Sequence, residues 1–298
     1  MTASEAASSA VADRGRHHGK VALISGGARG QGREIARLLA SQGADIALFD
    51  LCAQPSTSQY AGATEADLAE TVAIVEDLGR RCLSRVLDVR DHEAVADFVG
   101  EAASRLGAVD IVCANAGLVT WVPFLELTPE QWGEVNDINL TGVFNTVQPA
   151  LRHMVERLSG SVVITSSVNG VEPGQSIAHY TASKHAVLGL MKNLALEFGP
   201  YGIRVNAVMP SAVNTVMGNN STNLKWIFGR DDATEADYLA ATRQWHVLRN
   251  QPALRPEDVA ETISWLCSDE ARHLTGVQLP VDAGHLVLPG FNHEPITE

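Results

Sequence analysis

Short runs in which nearly every residue is apolar alternate along this chain with longer segments whose apolar residues recur at helical spacing. The runs are Lys20–Ile24, Asp45–Asp50, Cys82–Leu87, Val109–Ala114, Ser161–Thr165, Ile203–Val208 and Val277–Val281. Helical patterns occupy Arg33–Ala40, Thr64–Leu78, His92–Leu106, Thr128–Val135, Tyr180–Phe198 and Pro256–Cys267. A strand that is apolar on both sides must be covered on both sides, and strands separated by helices pair in parallel. The pattern therefore predicts an α/β fold: a Rossmann-type, doubly wound, seven-stranded parallel sheet with helices on both faces, built by residues 19–298 as one domain. Such sheets bind ligands at the carboxyl ends of their strands.

Two connections exceed the ordinary length, Leu51–Ala63 and Ser211–Thr234. The insert at 51–63 reads as a cofactor lid or as a surface excursion. The second opens a loop-and-helix region, 211–250, expected to line the substrate site. Residues 1–18, rich in Ala and Ser with no apolar core, read as a disordered tail.

Charge narrows the partners. The formal net charge is −13 and the 22 basic residues are scattered, which argues against nucleic acid and anionic membranes as partners. No apolar run is long enough to span a bilayer. Cys52, Cys82, Cys113 and Cys267 lie far apart with no Cys-x-x-Cys, as expected of reduced thiols in a cytoplasmic protein; no metal site is expected.

The strand ends carry the candidate chemistry. Gly26-Gly-Ala-Arg29-Gly30-Gln31-Gly32 follows the first strand and opens the first helix, where glycines allow a tight turn and helix N–H groups attract pyrophosphate. Asp50 ends the second strand, where a carboxylate accepts hydrogen bonds from ribose hydroxyls and repels a 2′-phosphate, favouring NAD. Arg29 complicates this, since it suits a 2′-phosphate as well as pyrophosphate or Asp50. Asp88-Val89 and Asn115-Ala116-Gly117 end the third and fourth strands and suit the adenine and the close passage of a cofactor. Tyr180 and Lys184, one helical turn apart, form a proton-transfer pair in which the cation favours the phenolate, and Ser167 can bond the same substrate oxygen.

These residues resemble those of the short-chain dehydrogenase/reductase family from Lys20 to Gly284, through the glycine turn, Asp88, Asn115-Ala-Gly117, Asn139-Leu-Thr-Gly142, Ser166-Ser167, Tyr180-x-x-x-Lys184, Val205-Asn-Ala-Val-Met-Pro210 and Val281-Asp-Ala-Gly284. The resemblance implies a catalytic tetrad of Asn139, Ser167, Tyr180 and Lys184, with Asn139 placing a water beside Lys184. It also implies that Leu51, Thr165, Pro210, Val213 and Thr215 join the cofactor site, with Val213 and Thr215 holding the carboxamide. The lesser alternative for Asn139 is a polar residue that bends its helix. Three departures from the family pattern are Ser25 for Thr, Ala114 for Asn, and Ser211 for Gly, the last restricting the turn beside the nicotinamide.

A narrower resemblance, through the glycine turn, the insert after Asp50-Leu-Cys52 and Glu65–Val72, points to the mycofactocin-associated branch that includes carveol dehydrogenases. It implies an NAD held under the insert and reoxidised by mycofactocin, while the Tyr180–Phe198 helix and the last strand resemble surfaces through which the wider family forms homotetramers. Met217, Trp226, Phe228, Tyr238 and Trp245 suggest an apolar secondary alcohol or ketone, with Met217 and Trp226 touching it; each aromatic is equally a packing residue. His179, next to Tyr180, reads as an exposed helix-start residue, with tuning of the site as the alternative. Set against this reading are an NADPH-dependent 3-oxoacyl carrier-protein reductase and a non-catalytic nucleotide-sensing protein.

Overall fold

The computed structural model describes residues 15–288. Seven parallel strands form one sheet in the order β3-β2-β1-β4-β5-β6-β7: β1 Val21–Ser25, β2 Asp45–Asp50, β3 Cys82–Val86, β4 Ile111–Ala114, β5 Gly160–Thr165, β6 Ile203–Pro210 and β7 Gln278–Val281. The order reverses between β1 and β4, whose ends pair at Ser25 and Ala114. Right-handed crossovers diverge from such a point and open a crevice between the two strand ends.

Alternation within the strands divides the core. Leu23, Phe49 and Val112 face α3 (His92–Leu106), α5 (Gly142–Arg157) and α6 (Ala178–Phe198), while Ile24, Ile46, Leu48 and Val163 face α1 (Gly30–Ser41), α2 (Glu65–Asp77) and α9 (Pro256–Cys267). Each such Leu or Ile contributes about 1.5–3 kcal/mol by leaving water. Two short helices, α7 (Ser221–Phe228) and α8 (Glu235–Thr242), fill the region after β6. Among the described residues no helix is long and apolar enough to cross a membrane.

Four expectations change. The helical pattern ending at Val135 continues: α4 (Pro129–Asn136) runs through a π-helical turn, Asp137–Thr141, into α5. The sequence analysis assigns no helix to α5, which carries Pro149 inside it; proline removes one helix hydrogen bond, and burial of Val143, Val147, Leu151 and Met154 outweighs that loss. Strand β3 lies at the sheet edge with Ser84 and Val86 exposed, so it is not covered on both faces.

The expected tail through His18 is a correction at its end; residues 1–14 lie outside the described residues. His17 is buried, donates or accepts at the Ser264 hydroxyl (3.1 Å), and its pKa is driven down to about 4, chiefly by burial. The four cysteines are free thiols.

Candidate active site

The first helix begins inside the glycine turn. Arg29 is extended (φ −155°) and no side chain caps α1, so the N–H groups at the helix start are left to face the crevice. Gly26 needs φ +69°, and a Cβ there would sit 2.8 Å from Ala116 Cα, which brings the turn hard against the end of β4. Ser25 joins the two strand ends: its hydroxyl accepts from the N–H groups of Asn115 (3.1 Å) and Ala116 (3.2 Å), and Asn115 Nδ2 donates to the Ser25 and Gly26 carbonyls. The hydroxyl that Ser shares with Thr is what this junction uses.

A cavity of about 500 Å³ runs along the crevice. Gly26, Arg29, Gly30, Gln31, Asp50, Leu51, Asp88, Val89, Asn115, Ala116, Gly117, Thr215 and Met217 all line it, as do Pro55, Tyr60 and Gly62 of the insert. Asp50 accepts from Ala28 N–H (3.1 Å), and burial raises its pKa against that bond and the nearby Arg29. Arg29 turns away from Asp50 for its hydrogen bonds and donates to the Ala61 and Gly62 carbonyls, tying the insert to the glycine turn. Gly32, expected to touch a cofactor, is buried instead beneath Gly26 and does not line the cavity.

Beyond Gly117 the polar groups converge. Lys184 Nζ donates to the Thr165 carbonyl (2.8 Å), lies 5.5 Å from the Tyr180 ring centroid, and would sit 3.6 Å from a Cβ on Gly117. Asn139 is on the π turn, so both readings of it meet in one residue. Its Oδ1 accepts from Leu118 N–H (2.7 Å), and its Nδ2 donates to the Leu118 carbonyl (2.9 Å) and the Ser183 hydroxyl (3.1 Å). A π turn rotates side chains relative to a regular helix, and here it turns Asn139 toward the strand ends. Ser167 starts the turn after β5, beside Tyr180, and its hydroxyl makes a long bond to the Pro210 carbonyl (3.5 Å).

Burial governs the electrostatics of this cluster. It lowers the Lys184 pKa to about 8, and it raises that of Tyr180, with the Ser167 hydroxyl offsetting part of the rise. Burial of the phenol thus works against the phenolate that a neighbouring cation is expected to favour. The arrangement still presents two hydroxyls and an ammonium with donors to spare behind Gly117, which lines the cavity, while Asn139, Ser167, Tyr180 and Lys184 themselves lie outside its lining.

A model of the short chain dehydrogenase family matches residues 20–225. The (−)-trans-carveol dehydrogenase of Rhodococcus erythropolis is 42% identical over 275 residues, covering 90% of this chain and 98% of that one. A crystal structure of carveol dehydrogenase from Mycobacterium avium in complex with NAD superposes with a TM-score of 0.90 at 42% identity, covering 92% of this chain and all of that one. This chain belongs to the short-chain dehydrogenase family. A levodione reductase structure is more distant, with a TM-score of 0.79 at 31% identity over 91% of this chain and 99% of that one.

In this short-chain dehydrogenase several sequence-predicted positions have other settings. Trp226 is 41% exposed on α7 and does not line the cleft, while Tyr238 is buried with Leu224 and Ala253, so it packs the loop. His179 is fully buried, with Nε2 2.6 Å from Thr120 Oγ1, not an exposed helix start. Ser211 has no left-handed backbone and hydrogen-bonds His246 (2.8 Å), so it strains nothing. Val213 is buried and bridges to Leu254; Val213, Pro210 and Thr165 support the cleft from outside its lining.

The sequence analysis missed the pins of the insert. Buried Glu134 on α4 accepts four hydrogen bonds from the N–H and hydroxyl groups of Ser56 and Thr57 (2.7–3.0 Å) and pairs with Arg90 (3.1 Å), which also clamps Asp88. Burial acts to raise the Glu134 pKa, but those donors carry it below the ordinary value. A lone Glu in an amphipathic helix gives no periodic signal for a partner 77 or 78 residues away.

Proposed function

We propose that this protein is an NAD-dependent oxidoreductase that reversibly oxidises an apolar secondary alcohol, of terpenoid or alicyclic type, to a ketone. The observation that carries this reading is the convergence of Lys184, Tyr180, Ser167 and Asn139 just behind Gly117, which lines the cleft. Ser167 and Tyr180 hold the carbinol oxygen, and the Tyr180 phenolate takes its proton as general base. Lys184 spends one donor on Thr165 and keeps two for a ribose hydroxyl and for a water beside Asn139. Oxidised NAD, when bound, supplies the hydride acceptor and a positive ring that favours the phenolate.

Asp50 in the cleft and the engagement of Arg29 by the insert both favour NAD over NADP, which weighs against the carrier-protein reductase reading. The likeness to the two carveol dehydrogenases and the apolar Met217 in the lining support the substrate class. The proposal includes a homotetramer through α6, where Leu196 is 80% exposed, and a cytoplasmic location in keeping with four unpaired thiols.

The insert is proposed as a lid that retains NAD, with mycofactocin reoxidising it in place. The test is a panel of cyclic and terpenoid alcohols, carveol among them, assayed with free NAD, free NADP and a redox dye. The expected result is protein that purifies with bound NAD and turns over carveol with the dye but slowly with free nucleotide. Nucleotide-free protein with rapid NAD turnover rules out retention, and NADP preference rules out the role of Asp50.

Glu134→Gln loses charge-assisted bonds to Ser56 and Thr57, each worth about 1.5–3 kcal/mol, so release of bound NAD is expected to speed up roughly tenfold or more. Exchange of isotopically labelled NAD measures it, and an unchanged rate removes Glu134 from the lid.

A further inference from the structure

Between β4 and α4 the chain is irregular, yet Leu118, Val119 and Thr120 are buried. Buried irregular backbone must find partners outside any ladder. Here four of the five residues from Leu118 to Val122 find backbone partners on different elements around the proposed site, and Thr120 adds its hydroxyl. Leu118 exchanges both backbone bonds with the Asn139 amide (2.7 and 2.9 Å). Val119 N–H approaches the Tyr60 hydroxyl (3.5 Å), Thr120 Oγ1 meets His179, the neighbour of Tyr180, and Val122 N–H donates to the Ser176 carbonyl (2.7 Å). Trp121 exchanges both backbone bonds with the side-chain amide of Gln59, N–H to Oε1 at 2.8 Å and Nε2 to carbonyl at 3.2 Å. Gln59 is held in turn by Thr222 of α7, whose hydroxyl donates to its carbonyl (3.1 Å).

Two side-chain amides thus clamp one segment three residues apart, Asn139 at its inner end and Gln59 at its outer end. We infer that Gln59 is a positioning residue for the reaction: by fixing Trp121 it holds the segment that orients Asn139 and His179, so the insert is part of the framework of the active site as well as a cover for the cofactor. The inference rests on the tetrad proposed above. Its reach is set by geometry, since small displacements of positioning groups lower rates steeply. Gln59 and Trp121 are only half-buried, so water can satisfy Trp121 when the amide is gone and the protein still folds.

The test uses full-length protein carrying NAD, with carveol as the probe, and reads the single-turnover rate of NADH formation across pH. Gln59→Ala is expected to lower that rate about tenfold and to displace its pH profile, with melting temperature and NAD content close to wild type. Gln59→Glu keeps the acceptor for Trp121 N–H and is expected to fall between the two. An unchanged rate and profile in Gln59→Ala overturns the inference, as does a loss explained wholly by a lower melting temperature or by lost NAD. Tyr180→Phe is the control: turnover retained there overturns the tetrad itself, whereas an inactive Tyr180→Phe beside a wild-type-like Gln59→Ala overturns only the role of Gln59.

Discussion

Tyr180→Phe is expected to bind NAD as wild type does and to lose turnover by about a thousandfold, within the range general acid–base catalysis supplies and equal to about 4 kcal/mol of barrier. The variant isolates one atom. The Tyr180 ring packs against the apolar cluster of α3, α5 and α6, and Phe keeps that packing. The phenol makes no strong bond that its loss would orphan; its neighbour Ser167 already donates to Pro210. Folding and nucleotide binding should therefore survive, and near-wild-type melting with bound NAD measures that.

The sign of the pH dependence follows from the same residue. Alcohol oxidation needs the phenolate, and burial raises the Tyr180 pKa, so the wild-type rate climbs as pH rises toward the alkaline side. Phe has no proton to lose, and the residual rate of the variant should lack that limb. Turnover within tenfold of wild type, or an intact alkaline limb, would exclude Tyr180 as the base.

Gly32→Ala is expected to weaken NAD binding by about a hundredfold or more, near 3 kcal/mol. A Cβ on Gly32 would lie 1.9 Å from the Gly26 carbonyl oxygen and 2.8 Å from its carbon. These are backbone atoms and no rotamer relieves them. The turn must move, and with it the unpaired N–H groups at the start of α1 and the Asn115 amide that braces Gly26, 3.0 Å from the same Cβ. Gly100→Ala on α3, which has open space around it, is the control that should leave NAD binding unchanged. Titration of apo protein by fluorescence or calorimetry reads both, with circular dichroism confirming the fold. An NAD affinity for Gly32→Ala within threefold of wild type would mean the turn adapts and the cleft does not depend on it.

The parallel sheet was legible because its cause is local. Five of the seven strands lie in the interior of the sheet and are almost wholly buried, so they read as near-continuous apolar runs, while the edge strands β3 and β7 are only partly covered. The same holds for Gly26, Asp50, Asp88 and Asn115-Ala116-Gly117 in the lining of the cleft, since each sits at or just past a strand end. Helix α5 was not legible, because Pro149 and the π turn contradict helical periodicity locally and only the packing of Val147, Leu151 and Met154 resolves the conflict. Trp226 and Tyr238 were both plausible substrate contacts by type, and which way an aromatic points depends on the path of the loop that carries it.

From the chain alone came the seven strands and most of the helices between them, the nucleotide-binding turn, the Tyr180–Lys184 spacing and the family they resemble, all of which depend on residues near one another in sequence or on strand ends that a parallel sheet must align. Tertiary structure alone decided that burial raises the Tyr180 pKa, that Arg29 serves the insert, and that Glu134 and Gln59 fasten the insert to α4 and to the Leu118–Val122 segment. Desolvation and long-range hydrogen bonds belong to the space between elements, and no periodicity or local spacing encodes them.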